Sequence, residues 1–564
     1  MPVRDADLLS VQEARELASR ARQAQRALQE FSQQQVDRVV EAMAAAARGS
    51  AERLARLAHE ETGFGNVRDK TLKNSFASTE VLEYIRPLRT VGILREDKAR
   101  RIVEIAEPMG VVAAVIPSTN PTSTAIFKAL ISIKARDACV LSPHPSAKGC
   151  ILETAAVLIA AAEAAGLPKH ALACATEVTL EGTQELMRHR DTGVILATGG
   201  MGLVRAAYSS GKPAYGVGPG NVPAYIHESA DVPKACRDIV DGKTFDYGTL
   251  CSSEQAAVCD AAVAEQAIAE FRKNGAYFLS EAEAEAVARV VVTPQRLANP
   301  AIVGKPAAFI AEKAGIKLPP ETRALVATLK GVGRDFPLSI EKLSPVLAFY
   351  VVKDWHEGCE RCLELLRFGG TGHTLGIHSR DDAVIREFAL KKPVFRIVAN
   401  TMTSMGATGY TTGLAPSMSL GCGAYAGNIT SDNITPLHLM NVKRLAYELP
   451  REGRPARPVE APPAPDATPS LEPALRAFVE QRLRSAGASP APPASAPGAT
   501  AAASTPAPAP ASAQPAGAVD FAAEEDVRRA IRESRTIRLR RGAIVTPAAR
   551  DLAEGRNVLV FEGD

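Results

Sequence analysis

GVVAAVIP, residues 110 to 117, is a short apolar run closed by Pro117, and its reading decides the fold. No polar residue alternates along it, so a strand here must bury both faces, as strands do in a parallel sheet covered by helices. Outward from it, NPTSTAIFKAL opens a helix through Thr124 to Ala135, and CVLSPHP (139–145) is a second strand. A helix through Gly149 to Ala165 follows, then TGVILATGG (192–200) as a third strand ending in a glycine turn. Buried strands alternating with helices of about a dozen residues predict an α/β unit with a parallel sheet.

A second α/β region spans roughly 222 to 425, with AAFIAEKAG and PVLAFYVV as strand or strand-to-helix segments and GHTLGIHS as a short strand, and apolar continuity resumes in VFRIVANT (394–401). GYTTG and SLGCGAYAG are glycine-rich turns. Before the first unit, residues 11 to 62 read as helices. One stripe is Ala14, Leu17, Ala21, Ala24, Leu28 and Phe31, another Val36, Val40, Met43 and Ala47, and packing onto the body is the expected use of both. The folded body is expected to end near Pro450. Between Ala491 and Pro510, nine Ala and six Pro fill fifteen of twenty positions without a charge or an aromatic, which is linker composition. Two islands flank it. In LEPALRAFVEQRL (471–483), Leu475, Phe478, Val479 and Leu483 share one helical face, which suits a docking peptide or a helix folding back on the body; residues 521 to 564 form the other.

Sixty-six Lys plus Arg against sixty-three Asp plus Glu leave a charge of only +3, which speaks against a nucleic-acid footprint. No apolar run reaches the roughly 20 residues of a membrane span. The acidic start MPVRDADLLSVQEA does not suit an export signal, and nine scattered cysteines suit neither a disulfide scaffold nor a zinc cluster, so a reducing cytoplasm is the expected setting and no metal site is assigned.

Cys251, in FDYGTLCSSEQ after a turn-prone Asp246-Tyr247-Gly248, is a nucleophile if backbone donors activate it and a core thiol otherwise. ATGGMGLVRAA (197–207) places Gly199, Gly200 and Gly202 between strand and helix, where backbone and helix N-terminus can meet a pyrophosphate. GVGPGN (216–221) is a second glycine cluster or a packed turn. Asn120 could donate to an oxyanion or cap the next helix. His373 in TGHTLGIHS is an acid, base or phosphate contact, or a structural histidine; His144 in SPHPSAKG is a cofactor contact or an incidental surface residue.

In ordered combination, IPSTNPTS, TGGMGLVRAA, GVGPGN, GTLCSSEQ, EKLSPVLAFY and GHTLGIHS resemble the aldehyde dehydrogenase superfamily. Within it the chain is similar to the CoA-acylating enzymes of the ethanolamine-utilisation, propanediol-utilisation and sulfoacetaldehyde types, and to the dehydrogenase half of bifunctional aldehyde/alcohol dehydrogenases. The similarity covers about residues 12 to 448. It implies an α/β aldehyde dehydrogenase fold: a Rossmann-like cofactor domain, a catalytic α/β domain and a small oligomerisation extension. The expected division is 1–222 for the N-terminal helices and NAD(P)-binding domain, completed by part of 425–450. Residues 223–424 form the catalytic domain with Cys251, 451–520 the linker with helix 471–483, and 521–564 a docking or targeting extension.

The resemblance assigns Cys251 as the catalytic thiol, Asn120 as the amide holding the oxyanion, and His373 to the histidine-bearing segment of the acylating branch. It places Pro117, Ser118, His144, Pro145, Gly199, Gly200, Gly202, Gly218 and Glu341 at the cofactor, Glu341 on the nicotinamide ribose; the residue pattern alone makes Glu341 a surface helix charge. The implied chemistry is thiolate attack on an aldehyde, hydride transfer to NAD, and transfer of the acyl group to CoA. Hydrolytic relatives carry a general-base glutamate where this chain reads YGVGPGN, with Gly216 in that place, so acyl transfer to a thiol fits better. His144-Pro145-Ser146-Ala147 replaces a Lys-Pro-x-Glu segment, which leaves NADP open beside NAD. Acetaldehyde, propionaldehyde and sulfoacetaldehyde are the candidate substrates; a sulfonate would need a cationic contact. A dimer or tetramer is expected. LEPALRAFVEQRL on its Pro/Ala-rich linker resembles the tails that dock enzymes into bacterial microcompartment shells, and RRGAIVTPAARDLAEGRN resembles terminal extensions of other microcompartment proteins. The competing readings are a CoA-independent aldehyde dehydrogenase and a catalytically idle scaffold.

Overall fold

The computed structural model describes residues 5–449 and, further on, 519–522, 524–533, 535–545, 549, 552–553 and 558–561. The linker and the segment 471–483 lie outside the described residues. Three helices open the chain: Ala6–Gln29, Gln33–Gly49 and Ala51–Thr62. The Asp5 carboxylate accepts from the Asp7 and Leu8 N–H groups to start the first, and Ser32 with Gln35 forms a capping box for the second. The stripe residues Ala14, Ala21, Ala24, Leu28, Val36, Val40, Met43 and Ala47 are buried in one core with Val111–Val115, and Leu17 and Phe31 pack half-buried against it. The stripes therefore belong to the body.

A hairpin of β1 (Ile93–Asp97) and β2 (Ile102–Pro108) leads into the first parallel sheet. Its strands are β3 (Val111–Val115), β4 (Ala138–Ser142), β5 (Leu172–Cys174), β6 (Thr192–Thr198) and β7 (Ala214–Val217). They lie in the order β5-β4-β3-β6-β7, all parallel, and every residue of β3 and β4 is buried, as the apolar runs require. From β3 the chain winds outward through β4 to β5, then returns to β6 on the other side. The carboxyl ends of β3 and β6 thus form a switch point, where parallel sheets leave a crevice.

The second sheet holds β8 (Val222–Ile226), β9 (Glu254–Asp260), β10 (Ala276–Phe278), β11 (Ala324–Thr328), β12 (Val346–Val352), β13 (Gly372–His378) and β14 (Val394–Ala399). Its order is β10-β11-β12-β9-β8-β13-β14, parallel throughout. The segment AAFIAEKA, open between strand and helix in the sequence, is a helix, Ala307–Ala314. Ala307, Ile310 and Ala311 bury one face at helical spacing, and Gly315 at φ 73° ends it. β15 (Met440–Ala446) then returns antiparallel to β2, Ala446 opposite Ile102, and completes a three-stranded sheet.

The described residues from 519 onward belong to a second unit, separate from that of 5–449. Its described part has β16 (Val519–Ala522), helix Glu524–Arg532, β17 (Ile537–Val545) and β18 (Leu559–Phe561), with parallel strands and a small core including Ala522, Val527, Ala530 and Leu539. No described helix is long and apolar enough to cross a membrane.

Candidate active site

The crevice at the β3/β6 switch point is a cleft of about 440 Å³. The turn after β3 contributes Pro117, Ser118 and Asn120, the turn after β4 His144 and Pro145, and the turn after β6 Gly199 and Gly200. Gly218, Cys251 and Glu341 line it from segments flanking the second sheet. Two assigned residues stand outside the lining. Gly202 is inside the first turn of helix Met201–Tyr208, and His373 is fully buried on β13.

Cys251 is partly open to the cleft, while its thiol is enclosed by protein and packs against Val217, Val398, Ala407 and Leu420. Burial pushes its pKa up to about 12, the Glu341 carboxylate adds to the rise, and Arg396 opposes it. Burial thus favours the protonated thiol at rest. Glu341 is not a surface helix charge. It sits in the loop before β12, its Oε1 accepts from the Gly220 N–H at 2.9 Å, and it is the one carboxylate lining the cleft among the described residues. Burial raises its pKa to about 7, against the Gly220 N–H and the ammonium groups of Lys243 and Lys342. Since Glu341 lifts the thiol pKa, Glu341→Gln is expected to speed iodoacetamide alkylation of Cys251 at pH 7 several-fold; slower alkylation would mean that Glu341 withdraws the thiol proton instead.

Gly216 does not stand where a general base would. A Cβ at Gly216 would meet the Tyr208 hydroxyl at 2.7 Å and the Val204 Cγ1 at 2.8 Å, so this position faces helix Met201–Tyr208 and not the thiol. The side chain of this turn in the cluster that packs against Cys251 is Val217. Valine, like glycine, takes no proton, so the chemical conclusion stands on a different residue.

Asn120 opens helix Pro121–Lys134 but makes no side-chain cap bond to it. Its Nδ2 donates instead to the Thr249 carbonyl at 3.3 Å, two residues before Cys251, and to Thr119 Oγ1 at 3.2 Å. Its Oδ1 accepts from Lys73 Nζ. The amide thus lines the cleft without capping the helix. His373 lies behind the cysteine. A Cβ on Gly220 would fall 2.3 Å from the Cys251 carbonyl and 3.0 Å from the His373 ring, so glycine alone separates them. The His373 Nδ1 shares a hydrogen bond with Thr374 Oγ1 at 2.9 Å, and its buried Nε2 has no protein partner. Burial, with Arg396 nearby, drops its pKa to about 3, so the ring is neutral at physiological pH.

The cleft fits a dinucleotide. Gly200 leads into helix Met201–Tyr208 without a side-chain cap, and a Cβ there would project into open space, so the helix N-terminus is accessible to a phosphate. His144 caps the turn Pro145–Ala147, its Nδ1 accepting from the Ser146 N–H, and burial lowers its pKa.

The sequence reading passed over Lys70, Lys73 and Asp246, which are buried together beside Asn120. The available signal was two lysines at i and i+3 on the buried face of helix Val67–Ser78, shared with Asn74 and Ala77. It also passed over the Cys-x-x-Cys spacing of Cys359 and Cys362. Both are buried free thiols in helix Trp355–Gly369, and Cys359 Sγ accepts from Lys392 Nζ. Among the described residues no group of three or more His, Cys, Asp or Glu could hold a metal, so the pair reads as core.

A sequence profile of the aldehyde dehydrogenase family matches residues 2–281. The chain is 42% identical over 442 residues to the bifunctional aldehyde-alcohol dehydrogenase of Escherichia coli K12, covering 78% of this chain and 50% of that protein. It thus spans about half the length of the first curated relatives it matches. Among solved structures, an acetylating aldehyde dehydrogenase from Geobacillus thermoglucosidasius is 53% identical, covers 80% of this chain and 100% of its own, and superposes with a TM-score of 0.79. A propionaldehyde dehydrogenase from the Clostridium phytofermentans fucose utilisation bacterial microcompartment is 27% identical, covers 76% of this chain and 96% of its own, and has a TM-score of 0.70. With this likeness joined to two parallel sheets that meet at a cleft holding a cysteine and an asparagine amide, the chain belongs to the aldehyde dehydrogenase family.

Proposed function

We propose that the protein is a CoA-acylating aldehyde dehydrogenase, oxidising a small aldehyde with NAD and CoA to the acyl-CoA through a thioester on Cys251, reversibly. The observation that carries this is the apolar cluster, Val217 included, packed against Cys251 in a cleft where, among the described residues, the one lining carboxylate, Glu341, is bonded to the Gly220 N–H. Among the described residues the cleft's carboxylate, Glu341, is tied to the Gly220 N–H, and a thiol needs less activation than a hydrolytic water.

In this reading Cys251 first gives its thiol proton to water, the thiolate adds to the aldehyde carbonyl, and the Asn120 amide with backbone N–H groups near Cys251 holds the resulting alkoxide. The nicotinamide supplies the hydride acceptor. Collapse of the alkoxide leaves the acyl group on sulfur, and the CoA thiol takes it. The five-stranded sheet carries the dinucleotide, the Gly199-Gly200 turn meeting its phosphates and Glu341 its nicotinamide ribose. Pro117, Ser118, His144, Pro145 and Gly218 line the rest of its track, with Gly202 behind the phosphate turn. His373, neutral and with Nε2 unpaired, serves the acyl-transfer step from behind Cys251. Glu61 accepts from the Gly149 and Cys150 N–H groups at 2.7 Å each, where the helix after the His144 turn begins. This carboxylate near the missing family glutamate favours NAD over NADP. Small aliphatic aldehydes are the first substrates to try.

The exposed strand β15, with Val442 on one face and Leu445 on the other, followed by exposed Tyr447, suits pairing into a dimer or tetramer. Packaging in a microcompartment through residues 471–483 or 521–564 rests on sequence resemblance and on the compartment-derived relative. The decisive assay follows NAD(P)H formation from acetaldehyde, propionaldehyde and sulfoacetaldehyde with and without CoA. Product formation that rises at least ~100-fold with CoA is expected; equal rates with free acid as product would point to the CoA-independent alternative.

A further inference from the structure

The cluster that the proposed chemistry does not use lies one layer behind Asn120. Lys70 and Lys73 leave only 2% of their surface exposed, Asp246 none. Lys73 Nζ donates to Asn120 Oδ1 at 2.5 Å and also contacts Asp246 Oδ2. Lys70 Nζ donates to the same carboxylate oxygen at 3.0 Å and to the Thr119 carbonyl at 3.2 Å. Asp246 is held further by the Asn66 N–H at 2.8 Å and the Thr249 hydroxyl at 2.7 Å, while its own N–H donates to Asp69 at 2.7 Å.

These bonds fix an unfavourable backbone. Asp246 and Tyr247 have φ of 46° and 53°, in the left-handed region that non-glycine residues avoid. Gly65 makes room for the arrangement, since a Cβ there would fall 1.8 Å from Asp246 Oδ1. The strained turn leads directly to Thr249 and Cys251. A buried ion cluster is seldom a source of net stability, and backbone strain is retained where its surroundings over-determine it, commonly at functional sites.

An asparagine amide has two ends, and only its NH₂ can stabilise an oxyanion. An ammonium group is a donor without acceptor capacity, so Lys73 accepts only the orientation that turns Oδ1 away from the cleft. Burial, reinforced by Lys70 and opposed by Asp246, lowers the Lys73 pKa to about 8, which keeps it charged at neutral pH. Burial would raise Asp246, but Lys73 and Lys70 outweigh it and hold the carboxyl below its usual value.

We propose that Lys73, anchored by Asp246, is a positioning residue that locks the Asn120 amide with its NH₂ toward the site of the developing alkoxide and ties that orientation to the Cys251 turn. The proposal rests on the acylating reading of the cleft, in which Asn120 holds the oxyanion. It deepens that reading by naming what keeps the donor aimed.

The test is a double-mutant cycle on CoA-dependent aldehyde oxidation in the full chain, using Lys73→Met, Asn120→Ala and both together. Asn120→Ala is expected to lower kcat ~100-fold or more. Lys73→Met is expected to lower kcat about 10-fold or more in the wild-type background, with the KM values for NAD and CoA unchanged, and less than about 2-fold when Asn120 is already alanine. The same factor lost in both backgrounds would overturn the proposal while leaving the acylating reading intact. An Asn120→Ala chain with full kcat would remove the oxyanion role itself, and the proposal with it. Thermal melting monitors the fold; should Lys73→Met not fold, Asp246→Asn, which keeps the shape and drops the charge, enters the same cycle with the same expected non-additivity.

Discussion

Cys251→Ala is expected to abolish CoA-dependent NAD(P)H formation, by about 10⁴-fold or more, while the protein melts within a few degrees of wild type. The asymmetry follows from what the sulfur touches. Its packing neighbours are four residues of a small cluster, Val217, Val398, Ala407 and Leu420, so its loss removes little core. Chemically it is the one nucleophilic sulfur lining the cleft among the described residues, the other eight cysteines lying elsewhere. Incubation with acyl-CoA followed by intact-mass analysis supplies a second readout: wild type gains one acyl group, the alanine variant none. Persistent acylation of Cys251→Ala would assign the thioester to another residue.

Gly220→Ala carries the second large effect. The added methyl would sit 2.3 Å from the Cys251 carbonyl oxygen, which is backbone and cannot rotate aside, and 3.0 Å from the His373 ring. Relief requires moving either the Cys251 turn or the segment that gives its N–H to Glu341. A displacement of about 1 Å at a reacting group costs ~100-fold in rate, so activity should fall by that order. Overpacking of this kind costs ~1–3 kcal/mol, to be read as a lowered melting temperature. Gly200→Ala is the contrasting control, because its methyl meets no protein atom within 4 Å; it should leave melting unchanged and weaken dinucleotide binding. Unaltered kcat in Gly220→Ala would mean that the turn yields freely and that its geometry does not limit the reaction.

The parallel sheets were legible because their strands are uninterrupted apolar runs. Nothing but burial on both faces explains GVVAAVIP, and Pro117 and the glycines after Thr198 mark where each strand must stop. The AAFIAEKA segment was ambiguous because a short apolar run carries both periods; Gly315 beyond it is the feature that favours helix. At the site, Cys251 and Asn120 could be named from residue type and neighbouring turns, but their contacts could not. Glu341 reads as a surface charge because a lone Glu in a polar stretch normally is one. The lysine pair was hidden for the same reason: a charged residue on a helix is expected outside, and only the three-dimensional approach of Asp246, far along the chain, makes Lys73 tolerable inside. Gly216 shows the opposite error, a position aligned by motif whose side chain, if it had one, would point the wrong way.

The return of β15 to β2 also bears on how the chain is made. Ala446 pairs with Ile102, so most of the body must be synthesised before that ladder can form. Contacts between segments so distant in sequence carry a large loop-closure entropy and slow folding. While a ribosome is still extending the chain, β2 has only the β1 hairpin as partner, and its other edge is open to pairing with neighbouring nascent chains. Truncation before Met440 should therefore yield a protein that aggregates during synthesis even though every residue lining the cleft is present.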